Sequence, residues 1–424
     1  MTTHWSELYA ERTQGLTGSA IRELLKLTQS PEVISFGGGM PAPEMFPLQA
    51  VEAACCRVLA TNGPVALQYG ATEGYPPLRD MIARHTARYG IRVKPNNVLI
   101  TTGSQQALDL IAKLFIDQGD TVIVDAPTYL GALQSFNVFR PDYASIPMDN
   151  CGIQVEALKS ALRARPKFMY LLPNFQNPTG LTMSLERRKA VVKLAAASGV
   201  PIVEDDPYGQ LRYEGGHLPS LAWLDSETHA AGRKSGEQPG NVIYLSTFSK
   251  TLAPGLRLGW IIAPTEVITR LVQLKQGADL HTSTFAQAVA YEVARGGFLD
   301  QHIRALRQEY RRRRDVMLAA LADEFPQDWG VTWTHPQGGL FLWVCLPPGM
   351  DSQTLLAAAL KQNVAFVPGS SFFAPDYPRA EANRYMRLNF SYAQPDQIRE
   401  GIRRLARAVG EALGAGVAYA AGLA

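Results

Sequence analysis

Between residue 96 and residue 262, short apolar runs alternate with longer segments whose apolar residues recur at helical spacing. Residues 98–102, 121–125, 168–172, 201–204, 242–245 and 258–262 have the length and apolar content of buried strands, whereas 105–115 and 185–197 have the period of helices. Strands apolar on both sides, separated by helices, predict an α/β fold with a mostly parallel sheet covered on both faces. In such a sheet, ligands collect beyond the carboxyl ends of the strands. Upstream, 19–27 predicts a helix, and 33–35 a strand that runs into Phe36-Gly37-Gly38-Gly39. Downstream, 298–325 predicts a long charged helix, and 338–344, 364–367 and 385–390 predict strands of a smaller α+β unit. Residues 225–240 read as a polar surface excursion, and 412–424 as the frayed end of a last helix.

Composition adds limits. A chain of 424 residues with 46% hydrophobic and 19% charged residues is an ordinary soluble protein with room for two domains. A net charge of +3 is too small to argue for nucleic acid or an anionic membrane. The basic run Arg311-Arg312-Arg313-Arg314 reads as a solvated helix face. The four cysteines lack metal-ligand spacing, so no metal is expected and a reducing, cytoplasmic setting is. The N-terminus lacks the pattern of a signal peptide, and the apolar tail is too short to span a bilayer.

Candidate chemistry gathers where the predicted strands end. Thr102-Gly103-Ser104-Gln105 joins a strand to a helix, offering free backbone N–H groups and a hydroxyl to an anion. Asn177-Pro178-Thr179-Gly180 is first a turn, with Asn177 able to aim its amide into the crevice. Glu204-Asp205-Asp206-Pro207-Tyr208 places carboxylates and a phenol just past another strand, where capping a turn is the plainer role. Ser246-Thr247-Phe248-Ser249-Lys250, followed by Arg257, combines hydroxyls and a guanidinium for a phosphate with an amine that condenses with carbonyls. Each motif alone also has an ordinary structural reading.

In this order and spacing the motifs resemble the pyridoxal-phosphate site of the fold type I aminotransferases, class I/II. The likeness covers nearly the whole chain. The chain is most similar to the 2-aminoadipate, kynurenine and aromatic aminotransferase subgroup, and segments 21–28, 34–43, 67–70 and 275–282 resemble bacterial 2-aminoadipate aminotransferases in particular. The resemblance implies a large domain with a mostly parallel seven-stranded sheet plus a smaller α+β domain. It divides the chain into an N-terminal lid and loop (1–50), the cofactor domain (51–300) and a C-terminal domain (301–424).

It also implies residue roles for pyridoxal 5′-phosphate. Lys250 would bind the cofactor covalently and move the proton. Asp205 would pair with the ring nitrogen, Tyr208 and Asn177 with the ring oxygen, and Tyr129 would stack on the ring. Ser104, Gln105, Thr247, Ser249 and Arg257 would hold the phosphate. Tyr69 would reach the phosphate of a neighbouring subunit, which implies a homodimer with shared active sites. Arg387 would take the substrate carboxylate, with Gly39 and Asn177 against the substrate, while Ser19 and Arg22 would read a side-chain carboxylate. Thr247 stands where close relatives often carry serine, and Gly37 where they more often carry alanine. The expected reaction moves an amino group from 2-aminoadipate, glutamate, or an aromatic or branched-chain amino acid to 2-oxoglutarate. β-Elimination or decarboxylation on the same scaffold is the alternative. A cofactor-binding regulatory module is disfavoured because no DNA-binding segment is evident.

Overall fold

The computed structural model describes residues 2–13, 18, 32–228 and 240–421. In chain order its strands are β1 (Ile34–Ser35), β2 (Val98–Thr101), β3 (Thr121–Ala126), β4 (Asp142–Asp149), β5 (Gly152–Ile153), β6 (Phe168–Leu171), β7 (Ile202–Asp205), β8 (Val242–Thr247), β9 (Gly259–Ile262), β10 (Thr332–Trp333), β11 (Phe341–Cys345), β12 (Val364–Ala365), β13 (Val367–Pro368) and β14 (Tyr385–Asn389). The main sheet has the order β2-β9-β8-β7-β6-β3-β4-β5. Seven of its strands have four residues or more, and the eighth, β5, is a two-residue hairpin return on the edge. β4, β3, β6, β7 and β8 run parallel, and β9 runs against both of its neighbours, β8 and β2.

Alternation along each strand divides the core. Ile100, Ile123, Met169, Ile202 and Ile262 pack on one face, while Leu99, Val122, Phe168, Tyr170, Val203 and Ile261 pack on the other. The principal helices are α1 (Leu48–Ala66), α2 (Pro76–Ala87), α3 (Gly103–Phe115), α4 (Leu130–Asn137), α5 (Leu185–Ser198), α6 (Thr265–Asp279) and α7 (Thr284–Ala294). The first face is covered by α1, α2, α5 and α7, the second by α3, α4 and α6. Burial on both sides is why β2, β6, β7, β8 and β9 carry few polar residues before their ends. β4 is the exception. Near the sheet edge it buries only Ile146 fully and ends in aspartates, so its sequence has no apolar run to find.

The second unit is built from α8 (Phe298–Glu324), the antiparallel sheet β10-β11-β14-β13 and α9 (Pro395–Ala421). α8 serves both units: Leu299 and Ile303 pack into the large core, and Leu306, Tyr310, Met317 and Leu321 into the small one. Three expectations need correcting. Residues 364–367 form two short strands, β12 pairing with β1 and β13 with β14. β11 begins at Phe341 because Gly338 and Gly339 abut Phe175, which a Cβ on either would approach to 2.5 Å. The basic run is only half solvated, since Arg313 and Arg314 are buried. Arg313 donates to the Ser391 carbonyl and pairs with Glu309 and Glu44, and Arg314 donates to the Pro336 carbonyl and pairs with Glu214. The helix expected at 19–27 lies outside the described residues. No helix among the described residues is long and apolar enough to cross a membrane.

Candidate active site

Because the parallel strands point the same way, the loops leaving β2, β3, β6, β7 and β8 converge on one edge of the sheet. They border a cavity of about 770 Å³ lined by Gly39, Ser104, Gln105, Tyr129, Asn177, Asp205, Tyr208, Thr247, Ser249, Lys250, Arg257 and Arg387. Twelve expected site residues are therefore brought together. Tyr69 is not among them. It stands 79% exposed, edge-on to His281 with ring centroids 5.9 Å apart. Ser19 and Arg22 lie outside the described residues.

At one end, β2 turns into α3 through Gly103, whose φ of +75° suits glycine. A Cβ there would come within 2.6 Å of the Arg257 guanidinium. Arg257 itself adopts a left-handed φ of 53° and lies exposed over this turn. Ser104 Oγ is buried without a hydrogen bond, facing the same space. Thr247 Oγ1 donates to the Leu258 carbonyl at 2.8 Å and accepts the Ser249 N–H at 3.0 Å, which holds the end of β8 in place. The Gln105 amide is engaged elsewhere, donating to the Gly131 carbonyl at 2.7 Å and Ser135 at 2.8 Å, so only its backbone N–H is available to a ligand. Helix N-terminus, hydroxyls and guanidinium together make an anion cup.

In the middle, Asp205 Oδ2 accepts a hydrogen bond from the Tyr170 hydroxyl at 2.7 Å, while Oδ1 is buried with none. Burial pushes this carboxyl up to about 7, with Tyr170 opposing the shift and Asp206 adding to it. Lys250 Nζ donates to the Gly39 carbonyl at 2.6 Å. Burial, then Arg387 and Arg257, pulls its amine down to about 8. Burial raises the Tyr208 and Tyr129 phenols, with Asn177 opposing the rise at Tyr208. Gly131 has no room for a side chain because Tyr129 lies over it, 2.5 Å from where a Cβ would stand.

At the far end, Arg387 enters from β14, on the strand face opposite Met386 and Leu388. Its Nη1 donates to Asn177 Oδ1 and its Nη2 to the Gly37 carbonyl, both at 2.8 Å. Nε is buried without a partner. The guanidinium lies between the Phe341 ring at 4.2 Å and the Phe372 ring at 4.8 Å. Burial lowers its pKa to about 10. Tyr170, Phe341 and Phe372 are functional neighbours that the sequence reading missed. A phenol inside the apolar run 168–172 was the one available signal for Tyr170, and the aromatic pair had none.

The family described as "Aminotransferase class I and II" matches residues 32–405. The aromatic-amino-acid aminotransferase 1 of Thermococcus litoralis is 44% identical over 97% of this chain and 96% of its own length. The 2-aminoadipate transaminase of Thermus thermophilus is 44% identical over 96% of this chain and 97% of its own. Among solved structures, the α-aminoadipate aminotransferase of Thermus thermophilus, complexed with N-(5′-phosphopyridoxyl)-L-leucine, superposes with a TM-score of 0.88. It is 41% identical, covering 97% of this chain and 100% of that one.

Proposed function

The chain belongs to the class I and II aminotransferases and is a pyridoxal-phosphate-dependent transaminase, and from that premise we propose that it passes the amino group of an L-amino acid to 2-oxoglutarate by a ping-pong sequence. The proposed donors are 2-aminoadipate, glutamate, and aromatic or branched-chain amino acids. One observation carries this reading: Lys250 Nζ shares a single cavity with the unpartnered Asp205 Oδ1 and with Arg387.

The residues present fit the cofactor. Asp205 Oδ1 is a buried acceptor without a donor, Ser104 Oγ is a buried hydroxyl without a partner, and the Gly103–Arg257 cup suits a phosphate. When bound, pyridoxal phosphate supplies an aldehyde that condenses with amines and a ring that withdraws electrons from the amino-bearing carbon. Asp205, carrying its charge, would pair with a ring N–H and keep that withdrawal strong. Asn177 and Tyr208 would hold the ring oxygen, and Tyr129 would cover the ring. Arg387 fixes the substrate carboxylate with a guanidinium already oriented by Asn177 and Gly37. Lys250 Nζ, largely neutral above about pH 8, moves the proton at the substrate α-carbon. Gly39, one hydrogen bond from that amine, lies beside the substrate.

A homodimer belongs to the same proposal. It is supported by the exposed cluster Leu67, Tyr69 and Leu280, which leaves Tyr69 free to reach a second copy. A cytoplasmic setting is supported by four cysteines that form no disulfide. Ser19 and Arg22 are proposed to read acidic side chains.

Initial rates with each donor against 2-oxoglutarate test the reading. Parallel reciprocal plots, and one equivalent of oxo acid when a donor is added alone, are the expected results. Release of ammonia or carbon dioxide instead would overturn it. Arg22→Ala should lose rate with 2-aminoadipate and glutamate but not with phenylalanine, and equal losses would remove Arg22 from the scheme.

A further inference from the structure

Behind the anion cup lies a charged network whose side chains do not line the cavity. Lys275, near the carboxyl end of α6, has a completely buried side chain. Its ammonium donates to Gln106 Oε1 at 2.8 Å and to the Asp279 carboxylate oxygens at 2.7 and 2.8 Å. Asp279 Oδ2 also accepts from Gln106 Nε2 at 2.7 Å and from the Thr102 hydroxyl at 3.1 Å. Gln106 Oε1 in turn accepts the Thr102 backbone N–H at 2.8 Å. Thr102 and Gln106 thus bracket Gly103-Ser104-Gln105, and both are tied to one ion pair on a different helix.

The lysine is sealed but Asp279 is 28% exposed, and such a half-buried pair adds little net stability, because desolvating the ammonium offsets the attraction. Asp279 is also poorly placed at the carboxyl end of its own helix, where the dipole already favours cations. What the arrangement supplies is geometry and charge balance at the start of α3. The first-turn N–H groups of a helix point where the turn aims them, and they bind an anion only if aimed at it. A carboxylate one hydrogen bond behind that turn opposes a phosphate in front of it unless a cation neutralises it.

We propose that Lys275 and Asp279 are positioning residues for the cofactor phosphate: the pair clamps Thr102 and Gln106 so that the Gly103-Ser104-Gln105 turn faces the phosphate, and Lys275 cancels the Asp279 charge behind the cup. The proposal rests on the phosphate placement given above. It predicts an asymmetry that a merely structural pair would not show. Removing the lysine leaves an unbalanced anion behind the cup, removing the aspartate does not, and removing both restores the balance.

The test uses cofactor-free full-length protein titrated with pyridoxal phosphate and, separately, with pyridoxal, which lacks the phosphate. In Lys275→Met the Kd for pyridoxal phosphate should rise about tenfold, and less at high salt, while that for pyridoxal changes by less than about twofold. Asp279→Asn alone should change either Kd by less than about threefold, and Lys275→Met/Asp279→Asn should return pyridoxal phosphate to within about threefold of wild type. Gln106→Met, which leaves the ion pair intact, should weaken pyridoxal phosphate selectively by about threefold, and it decides the matter if Lys275→Met does not fold. Equal losses for the two ligands, or wild-type affinities in Lys275→Met and Gln106→Met alongside a weakened Arg257→Gln, would overturn the proposal. If Arg257→Gln also binds pyridoxal phosphate normally, the phosphate placement itself fails and the proposal falls with it.

Discussion

The two ends of the cavity each carry an arginine that the proposed function assigns to an anion, in opposite surroundings. Arg257 is exposed, reaches over the Gly103 turn from a left-handed backbone position, and shares its space with Ser104, Ser249 and the start of α3. Arg387 is 1% exposed, lies between two phenyl rings, and has two of its three nitrogens already engaged. At the exposed end, attraction is spread over several donors around a water-exposed guanidinium, so each contributes modestly. At the buried end, in the proposed scheme, one guanidinium carries the recognition. The cost of desolvating it is met when the protein folds, and its geometry is set before a ligand arrives. On the proposed reading, a holding site and a selecting site are built from the same side chain by the surroundings each receives.

This contrast can be broken most severely at Arg387. Arg387→Ala should lower kcat/KM about 1,000-fold, some 4 kcal/mol, because the substrate carboxylate then meets an apolar slot. Cofactor affinity should stay within about threefold, measured by titrating the cofactor-free protein. A large loss of cofactor affinity would mean that the two ends are not separable.

The mirror experiment is milder. Arg257→Gln should weaken pyridoxal phosphate about 30-fold, roughly 2 kcal/mol, and leave KM for the amino acid unchanged once the cofactor is saturating. A changed KM at saturation would place Arg257 on the substrate as well.

The smallest effect concerns Asp205, between the two ends. Its carboxyl is held up at about 7 in the folded protein, against an ordinary value of 3.8. A carboxylate raised on folding costs stability that is fully present above about pH 7 and vanishes as the pH falls towards 4. Cofactor-free Asp205→Asn should therefore melt several degrees above cofactor-free wild type at pH 8, with the gap closing below pH 7. Glu204 and Asp125, also raised to about 7 by burial, are common to both proteins and leave the difference to Asp205. With cofactor bound the order should reverse, because the ring N–H then favours the charged form. Calorimetry across this range decides it, and a gap independent of pH would show that burial at Asp205 is not the cause.

Much of this site was legible before the fold was. Lys250, Asp205, Asn177 and Ser104 each follow an apolar run, and parallel strands must carry their carboxyl ends to a common edge. Tyr170 was not legible, because a tyrosine fits a strand core equally well with or without a carboxylate beside it. Nor were Phe341 and Phe372 as the walls of Arg387, since one lies on a strand and the other at the end of a short 3-10 helix 31 positions later in the chain. Arg313 and Arg314 misled in the other direction: four consecutive arginines look solvated, yet two of them turn inward to satisfy buried carbonyls.

By itself, then, the sequence determined most strands of the large sheet, that this sheet is mostly parallel and buried, and which side chains stand at the strand ends, because those follow from local periodicity and from the constraint that a buried strand be apolar. Only the tertiary structure decided what those side chains experience. Whether an arginine is bathed or sealed, whether a carboxyl finds one partner or two, and whether Lys275 lies behind a phosphate turn all depend on contacts between residues far apart in the chain, and no local pattern encodes them.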